Sequence, residues 1–285
     1  MHWTDRRKRF RAVLAAERCI HPASVHDAIS ARIAEDLGFE IGMFAGSVAS
    51  MAVLGAPDLI VLTLSEFASQ AYRINRAGNL PLLVDADHGY GNALGVKRTV
   101  EELETAGVSA LSIEDTELPQ PFGATRPRLV SLAEGVGKMK AALAGRQDPT
   151  LCIAGRTSAV QINGLDDAIA RGKAYEQAGV DALFFVGLRT RAELDAISSA
   201  TTLPLVLGSA SGELADPSYL AARRVRVALQ GHQPFAAAVK AVHDTLKALR
   251  EGTSPAKLAG IADVELMKRV TRDADYAGWT KAFLS

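Results

Sequence analysis

Short apolar runs alternate with amphipathic stretches along the whole chain, and this alternation constrains the fold more than any other feature. The runs predicted to be strands are 19–25, 40–44, 80–85, 110–114, 151–154, 182–186, 204–207 and 225–229. The stretches between them that carry a helical pattern include 96–106, 132–144, 165–178 and 191–198. Repeated strand-then-helix order is typical of parallel sheets whose neighbouring strands are joined through helices.

Eight predicted strands match the count of a closed (β/α)8 barrel, and 285 residues suit one with a C-terminal extension. The alternative is a doubly wound open sheet, but no Gly-x-Gly-x-x-Gly turn follows the first strand. We therefore predict an α/β fold in one domain, 1–285, formed by a TIM-type barrel and a helical extension over 253–285. The extension has a helical pattern over 255–270 and no ninth strand to cover, so we expect its apolar residues to pack on another subunit.

Composition and charge exclude several classes of protein. Lys plus Arg and Asp plus Glu number 32 each, and the resulting net charge of zero argues against nucleic-acid binding. No apolar run approaches the roughly 18–20 residues that span a bilayer, and the basic N-terminal segment precedes only a short apolar run. Cys19 and Cys152 are too few for a disulfide framework or a zinc cluster. We expect a cytoplasmic protein that does not bind membranes.

Carboxylates stand at the ends of the third and fourth predicted strands. Asp85 and Asp87 lie two residues apart, so we expect them to share one face, and Glu114 ends the next strand. Neighbouring carboxylates at one edge of a sheet repel each other unless a cation lies between them. Oxygen ligands with few nitrogen or sulfur donors suit Mg²⁺ or Mn²⁺. The alternative, that these acids cap helices or are solvated, is disfavoured because an apolar strand is a costly place for idle charge.

Other polar residues follow the remaining strands. Gly46 allows close backbone approach, and Ser47 either binds a carboxylate or caps the next helix. Arg156 is either a structural ion pair or a clamp for a carboxylate or a developing enolate oxygen. His232 follows the eighth strand, and its position alone does not separate a catalytic from a structural role. His88 is a candidate to support the metal carboxylates from behind.

Taken together, these motifs resemble the isocitrate lyase and phosphoenolpyruvate mutase superfamily. The matching stretches are 85–91 (DADHGYG), 112–115 (SIED), 155–157 (GRT), the 46–47 turn and 27–32 (DAISAR). The similarity covers essentially the whole chain and implies a Mg²⁺-dependent barrel that acts on a small-molecule 2-oxo acid. It also implies a homo-oligomer, a tetramer built as a dimer of dimers, whose subunits exchange C-terminal helices.

The resemblance also implies roles for individual residues. Asp85 would bind the metal directly, and Asp87 and Glu114 would hold it through water. Gly46 and Ser47 would bind the substrate carboxylate. Arg156 would reach the second end of the substrate, and Asp58 would lie near the reacting group. The carbon–carbon lyases of this superfamily carry a loop cysteine in a Lys-Lys/Arg-Cys-Gly-His motif after the fourth strand. Here the segment 117–124 reads ELPQPFGA and has no cysteine.

The branch that this chain resembles most is that of the oxaloacetate decarboxylases, which carry a histidine after the eighth strand. The expected reaction is Mg²⁺-dependent decarboxylation of oxaloacetate to pyruvate and CO₂ through enolpyruvate, which needs no loop cysteine. His232 would either orient the substrate or help deliver the late proton. The alternatives are a hydrolase or carbon–carbon lyase for a related 2-oxo acid or substituted malate, and a barrel that binds 2-oxo acids without turnover.

Overall fold

Eight parallel strands form the centre of the computed structural model, which describes residues 2–285. The strands are β1 (Ala23–Ser24), β2 (Gly42–Phe44), β3 (Leu82–Asp85), β4 (Ala110–Glu114), β5 (Cys152–Thr157), β6 (Ala182–Phe185), β7 (Leu205–Leu207) and β8 (Val225–Ala228). Each strand pairs in parallel with the next one along the chain. The predicted α/β class and the eight parallel strands are therefore confirmed.

The two edges of this sheet approach each other before β1. Ile20 forms an isolated parallel bridge with Val227, in which its N–H donates to the Arg226 carbonyl at 3.0 Å. Regular pairing resumes only at β1, a shorter strand than the predicted 19–25, because Pro22 has no N–H to donate. The sequential order and this bridge are consistent with a TIM-type barrel.

Helices follow most strands and cover the outside of the sheet. They are α1 (Trp3–Ala15), α2 (Ala28–Asp36), α3 (Gly46–Ala49), α4 (Leu64–Ala77), α5 (Ala93–Thr105), α6 (Leu132–Gly145), α7 (Ala159–Ile162), α8 (Leu165–Ala178), α9 (Arg191–Ala200), α10 (Pro217–Ala222), α11 (Gln233–Arg250), α12 (Val264–Thr271) and α13 (Asp273–Phe283). The helical pattern predicted over 255–270 is interrupted, since only Pro255–Lys257 forms a 3-10 turn before Asp263 caps α12. None of the helices within residues 2–285 is long and apolar enough to cross a bilayer.

The basic N-terminal segment forms α1, which the sequence pattern did not predict. Its arginines donate to main-chain carbonyls that precede strands: Arg7 binds the Val108 carbonyl at 3.0 Å, and Arg11 binds the Thr150 carbonyl at 2.8 Å. Phe10, 2% exposed, joins the buried cluster inside the sheet. Helix α1 therefore closes the end of the barrel at which the strands begin, which leaves the opposite end open.

Candidate active site

Strand alternation brings the charged residues to the open end of the barrel interior. Leu83, Ala110 and Cys152 belong to the buried cluster inside the sheet. Residues at even spacing from them share their face. Asp85 therefore continues the row of Leu83, Glu114 the row of Ala110, and Arg156 the row of Cys152. Strand β5 extends three residues beyond the predicted end, so Arg156 lies within the strand rather than after it.

A cavity of about 670 Å³ opens at this end. Its lining includes the following predicted site residues: Ser47, Asp58, Asp85, Asp87, Glu114, Arg156 and His232. Gly46 does not line the cavity itself but lies against the Asp87 carboxylate. The active sites of barrels of this type lie at the carboxyl ends of the strands, where these residues converge.

Arg156 is ion-paired with the acidic residues of the neighbouring strands. Its guanidinium donates a hydrogen bond to Asp85 Oδ2, and its Nη2 lies 3.5 Å from Glu114 Oε2. Ser112 Oγ and the Asp87 N–H donate to Asp85 Oδ1 at 3.2 and 3.3 Å. Burial lowers the pKa of Arg156, but the charges of Asp85 and Glu114 outweigh it and raise the pKa. The guanidinium is therefore permanently charged.

The carboxylates in this cavity carry more negative charge than Arg156 can balance. Burial, and then the charge of Asp85, raises the pKa of Asp87 well above its usual range and also raises that of Asp58. Burial likewise raises the pKa of Glu114, against the opposing effect of Arg156. Arg156 is the only Lys or Arg side chain among the described residues that line the cavity. A divalent cation would balance this excess of negative charge.

The residues available to hold such a cation are oxygen donors, which suit Mg²⁺ or Mn²⁺. Within residues 2–285, no three acidic, histidine or cysteine side chains converge into a complete ligand set. An ion that keeps several of its waters needs only one or two direct carboxylates. The donor set is therefore compatible with one direct ligand supported by water-mediated contacts.

Asp87 lines the cavity, but strand alternation does not explain its orientation. The prediction that Asp85 and Asp87 share a strand face is wrong in its reasoning, because β3 ends at Asp85. Asp87 has a left-handed backbone with φ of 47°, and its carboxylate lies against Gly46, the first residue of α3. A Cβ atom on Gly46 would lie 2.5 Å from Asp87 Oδ1, so glycine is required there for this approach.

Ser47 and Asp58 come from the segment after β2. Ala45 is the N-cap residue of α3, and no side chain caps that helix, so the alternative that Ser47 serves as N-cap is wrong. Asp58 lies in the connection that follows, where Ile60 has a φ of 58°. A left-handed backbone is strained for a β-branched residue. Both residues line the cavity.

His232 lies directly before α11 and lines the cavity. Its Nδ1 is 2.8 Å from Ser24 Oγ in β1, so Nε2 is the ring nitrogen that remains for a substrate. Burial lowers the pKa of His232, while the charges of Asp85 and Asp58 oppose that effect. His88, by contrast, is buried outside the lining of this cavity, and burial lowers its pKa to about 4.

Several lining residues were not predicted from the sequence. They are polar residues on the connections after β4 and β5, and one aromatic residue of β6: Thr116, Gln120, Ser158, Gln161 and Phe184. Thr116 Oγ1 donates to Glu114 Oε2 at 2.8 Å, and the Phe184 ring centroid is 5.4 Å from Arg156 Cζ. Their position in the segments that follow β4 and β5, or in the inward row of a strand, was the available signal.

Neither cysteine belongs to the site. Cys152 lies deep in the barrel interior, and burial raises the pKa of its thiol to about 12. Burial also raises the pKa of the half-buried Cys19 to about 11. Both thiols are therefore protonated at neutral pH and do not line the cavity. The segment 117–124 that follows β4 contributes Leu118 and Gln120 to the lining instead of a cysteine.

A family model described as phosphoenolpyruvate phosphomutase matches residues 10–250, which is most of the chain. The chain belongs to the phosphoenolpyruvate phosphomutase family. Among its relatives in this family is the oxaloacetate decarboxylase of Bradyrhizobium sp. strain BTAi1, 61% identical over 284 residues, which covers 100% of this chain and 99% of the relative. The oxaloacetate decarboxylase of Rhodopseudomonas palustris strain BisB18 is 62% identical over 96% of this chain and 95% of that protein.

Solved structures with the same fold bind small carboxylates. A phosphonopyruvate hydrolase in complex with oxalate and Mg²⁺ superimposes with a TM-score of 0.87 and 28% identity over 100% of both chains. An oxaloacetate acetylhydrolase in complex with the product oxalate has a TM-score of 0.84 and 27% identity over 98% of this chain and 99% of that one. The family resemblance stated from the sequence motifs is confirmed.

Proposed function

We propose that this chain catalyses the decarboxylation of oxaloacetate to pyruvate and CO₂ in the presence of Mg²⁺ or Mn²⁺. The observation that carries the proposal is the cavity in which Asp85, Asp87 and Glu114 face a single guanidinium, that of Arg156. The names of full-length relatives at about 60% identity support the same reaction.

Asp85 is the residue that would hold the metal directly, and Asp87 and Glu114 would hold its waters. When bound, the metal supplies Lewis-acid polarisation of the substrate's keto group. Asp85 is suited to direct ligation because its Oδ1 already accepts two hydrogen bonds, which fix the orientation of the carboxylate. Thr116 orients Glu114 in the same way.

The chain's own residues then act on the substrate. Ser47, with the backbone at Gly46, would bind the C1 carboxylate. Breaking the C3–C4 bond releases CO₂ and moves the bonding electron pair toward the C2 oxygen, which forms enolpyruvate. Arg156 would donate hydrogen bonds to the negative charge that develops there, in a largely buried site where such bonds are strong. No base is needed to start the reaction, and only C3 must later gain a proton.

His232 is proposed to bind the substrate through Nε2. Because burial lowers the pKa of this imidazole and Ser24 engages Nδ1, the ring is neutral at neutral pH and can donate a hydrogen bond to the C4 carboxylate. The proton for C3 would then come from water.

His232→Gln is expected to raise KM by about 10–100-fold, the equivalent of one hydrogen bond to a charged group, with kcat within a few-fold of the parent. Steady-state kinetics at saturating Mg²⁺ measure both constants. A fall in kcat of about 10²–10⁴-fold would instead assign proton delivery to His232. Unchanged values of both constants would remove the residue from the site.

Hydrolysis of the same substrate is the second candidate function. It is favoured by Asp58, whose raised pKa and position in the cavity suit a group that steers a water molecule. The oxaloacetate acetylhydrolase fold at 27% identity points the same way. A carbon–carbon lyase of the loop-cysteine type is disfavoured, because neither thiol lines the cavity.

Product analysis separates these functions. The purified protein is incubated with oxaloacetate and Mg²⁺, with spontaneous decarboxylation subtracted, and the products are identified by NMR. Pyruvate and CO₂ in equal amounts are the expected result. Oxalate and acetate would indicate hydrolysis, and the absence of turnover with retained binding would indicate a 2-oxo acid sensor.

We also propose that 253–285 is an extension of a single barrel domain and that its helices pack against a second subunit. Helix α11 has no buried residue, and it exposes Val239, Val242 and Leu246 along one stripe. In α13, Trp279 and Phe283 are 51% and 76% exposed. An apolar surface of this extent is typical of a subunit interface.

A chain that ends at Gly252 is expected to lose the oligomeric state of the full-length protein. Size-exclusion chromatography with light scattering measures the mass of both forms at equal concentration. Far-UV circular dichroism controls for folding, because Arg272, directly after α12, also contacts the barrel through an ion pair with Asp36 of α2 at 2.8 Å. A truncated chain with an unchanged subunit number would contradict the proposed exchange.

A further inference from the structure

The turn that carries Asp87 has an unfavourable backbone. Asp87 and Tyr90 have φ angles of 47° and 56°, in the left-handed region that residues with side chains rarely adopt. Such a conformation persists only where the surrounding structure determines it. The turn follows β3 directly, so the position of the Asp87 carboxylate relative to Asp85 depends on the conformation of its backbone.

Three successive carbonyl groups of this turn are each held by a different element. The Asp87 carbonyl accepts from the Glu114 N–H at 2.8 Å, the His88 carbonyl from Lys138 Nζ at 2.9 Å, and the Gly89 carbonyl from Thr99 Oγ1 at 2.9 Å. Strand β4, helix α6 and helix α5 therefore each fix the turn through one hydrogen bond. Only the α6 contact brings a charge.

Lys138 is an unusual residue to find at this place. It is 3% exposed, and no carboxylate of residues 2–285 lies within 4.0 Å of its Nζ. Burial of an ammonium without a paired carboxylate is unfavourable. The negative charges of Glu134, Glu114 and Asp115 nevertheless favour the charged form of this side chain. Lys138 does not line the cavity, so its ammonium lies behind the carboxylates of the site.

We propose that Lys138 is a positioning residue for the metal site. By holding the His88 carbonyl, its ammonium fixes the turn that aims Asp87 at the water-mediated contacts of the metal, and its charge offsets part of the repulsion among the carboxylates. Thr99 supports the same turn from α5 without adding charge. This inference rests on the proposed function, because it requires a divalent cation at Asp85.

The test is the affinity of the substrate-free, full-length protein for Mn²⁺, measured from the free-ion electron paramagnetic resonance signal. Lys138→Met keeps the length of the side chain and removes its charge. We expect it to weaken Mn²⁺ binding by about 10–100-fold, the range for residues that orient metal ligands. Lys140→Met is the matched control, since Lys140 is exposed on the same helix, and it should bind Mn²⁺ like the parent.

Circular dichroism and the Tm without metal show whether each variant folds. A folded Lys138→Met protein with parental Mn²⁺ affinity would overturn the inference. If that variant does not fold, the turn is tested through its hydrogen bond from Thr99 instead. Weaker Mn²⁺ binding by Thr99→Val with parental binding by Thr99→Ser supports the inference, and parental binding by both variants overturns it. A parent chain that binds no Mn²⁺ would overturn the proposed metal site itself, which is a different result from parental binding in the variants.

Discussion

Asp85→Ala is expected to abolish saturable Mn²⁺ binding and to lower kcat/KM by about 10³-fold or more, the equivalent of several kcal/mol of lost charge stabilisation. The reason is that Asp85 lies where the contacts of the site converge: it binds Arg156, Ser112 and the Asp87 main chain. Asp87→Ala should cost only about 10–100-fold, because it removes support through water rather than a direct ligand.

The measurements are Mn²⁺ titration and steady-state decarboxylation, with Asp5→Ala as the matched control. Asp5 is an exposed carboxylate on α1, at the opposite end of the barrel. The same assay in excess chelator should show loss of activity in the parent, and added Mg²⁺ or Mn²⁺ should restore it. Full activity in chelator, or an Asp85→Ala protein as active as Asp5→Ala, would rule out the metal site.

Arg156→Met is expected to lower kcat by about 10²–10³-fold, the loss that follows removal of one donor to a developing oxyanion. The methionine side chain fills similar space but leaves Asp85 and Glu114 without their paired cation. Arg156→Lys is the companion variant, because it keeps the charge and loses the planar fork that contacts both carboxylates. We expect an intermediate kcat for it.

Stability must be measured beside activity for these two variants. Removing one partner of a buried ion pair commonly destabilises a protein by about 3–5 kcal/mol, so thermal unfolding with and without Mg²⁺ accompanies the kinetics. Folded Arg156→Met protein with kcat within a few-fold of the parent would show that the guanidinium has only a structural role. That outcome would return Arg156 to the alternative left open by its sequence position.

The strands of the barrel were predictable because their signal is local. Apolar runs separated by amphipathic stretches located all eight strands to within a few residues. The observed bounds of β4 and β5, together with the period of two along a strand, then explain why Glu114 and Arg156 lie on inward-facing rows. The departure at residues 117–124, with no cysteine, was equally visible without a structure, because it depends only on which residues are present.

Only the tertiary structure decided the contacts between segments that lie far apart in the chain. The left-handed turn at Asp87, its approach to Gly46, and the burial of Lys138 behind it depend on how β2, β3 and α6 pack together. The α1 arginines bind carbonyls up to 140 residues away, which no local pattern specifies. Periodicity states which way a side chain faces, but the distance between two side chains is set by closure and packing of the sheet. The charged residues at the strand ends were therefore evident from the sequence, whereas the groups that orient them were not.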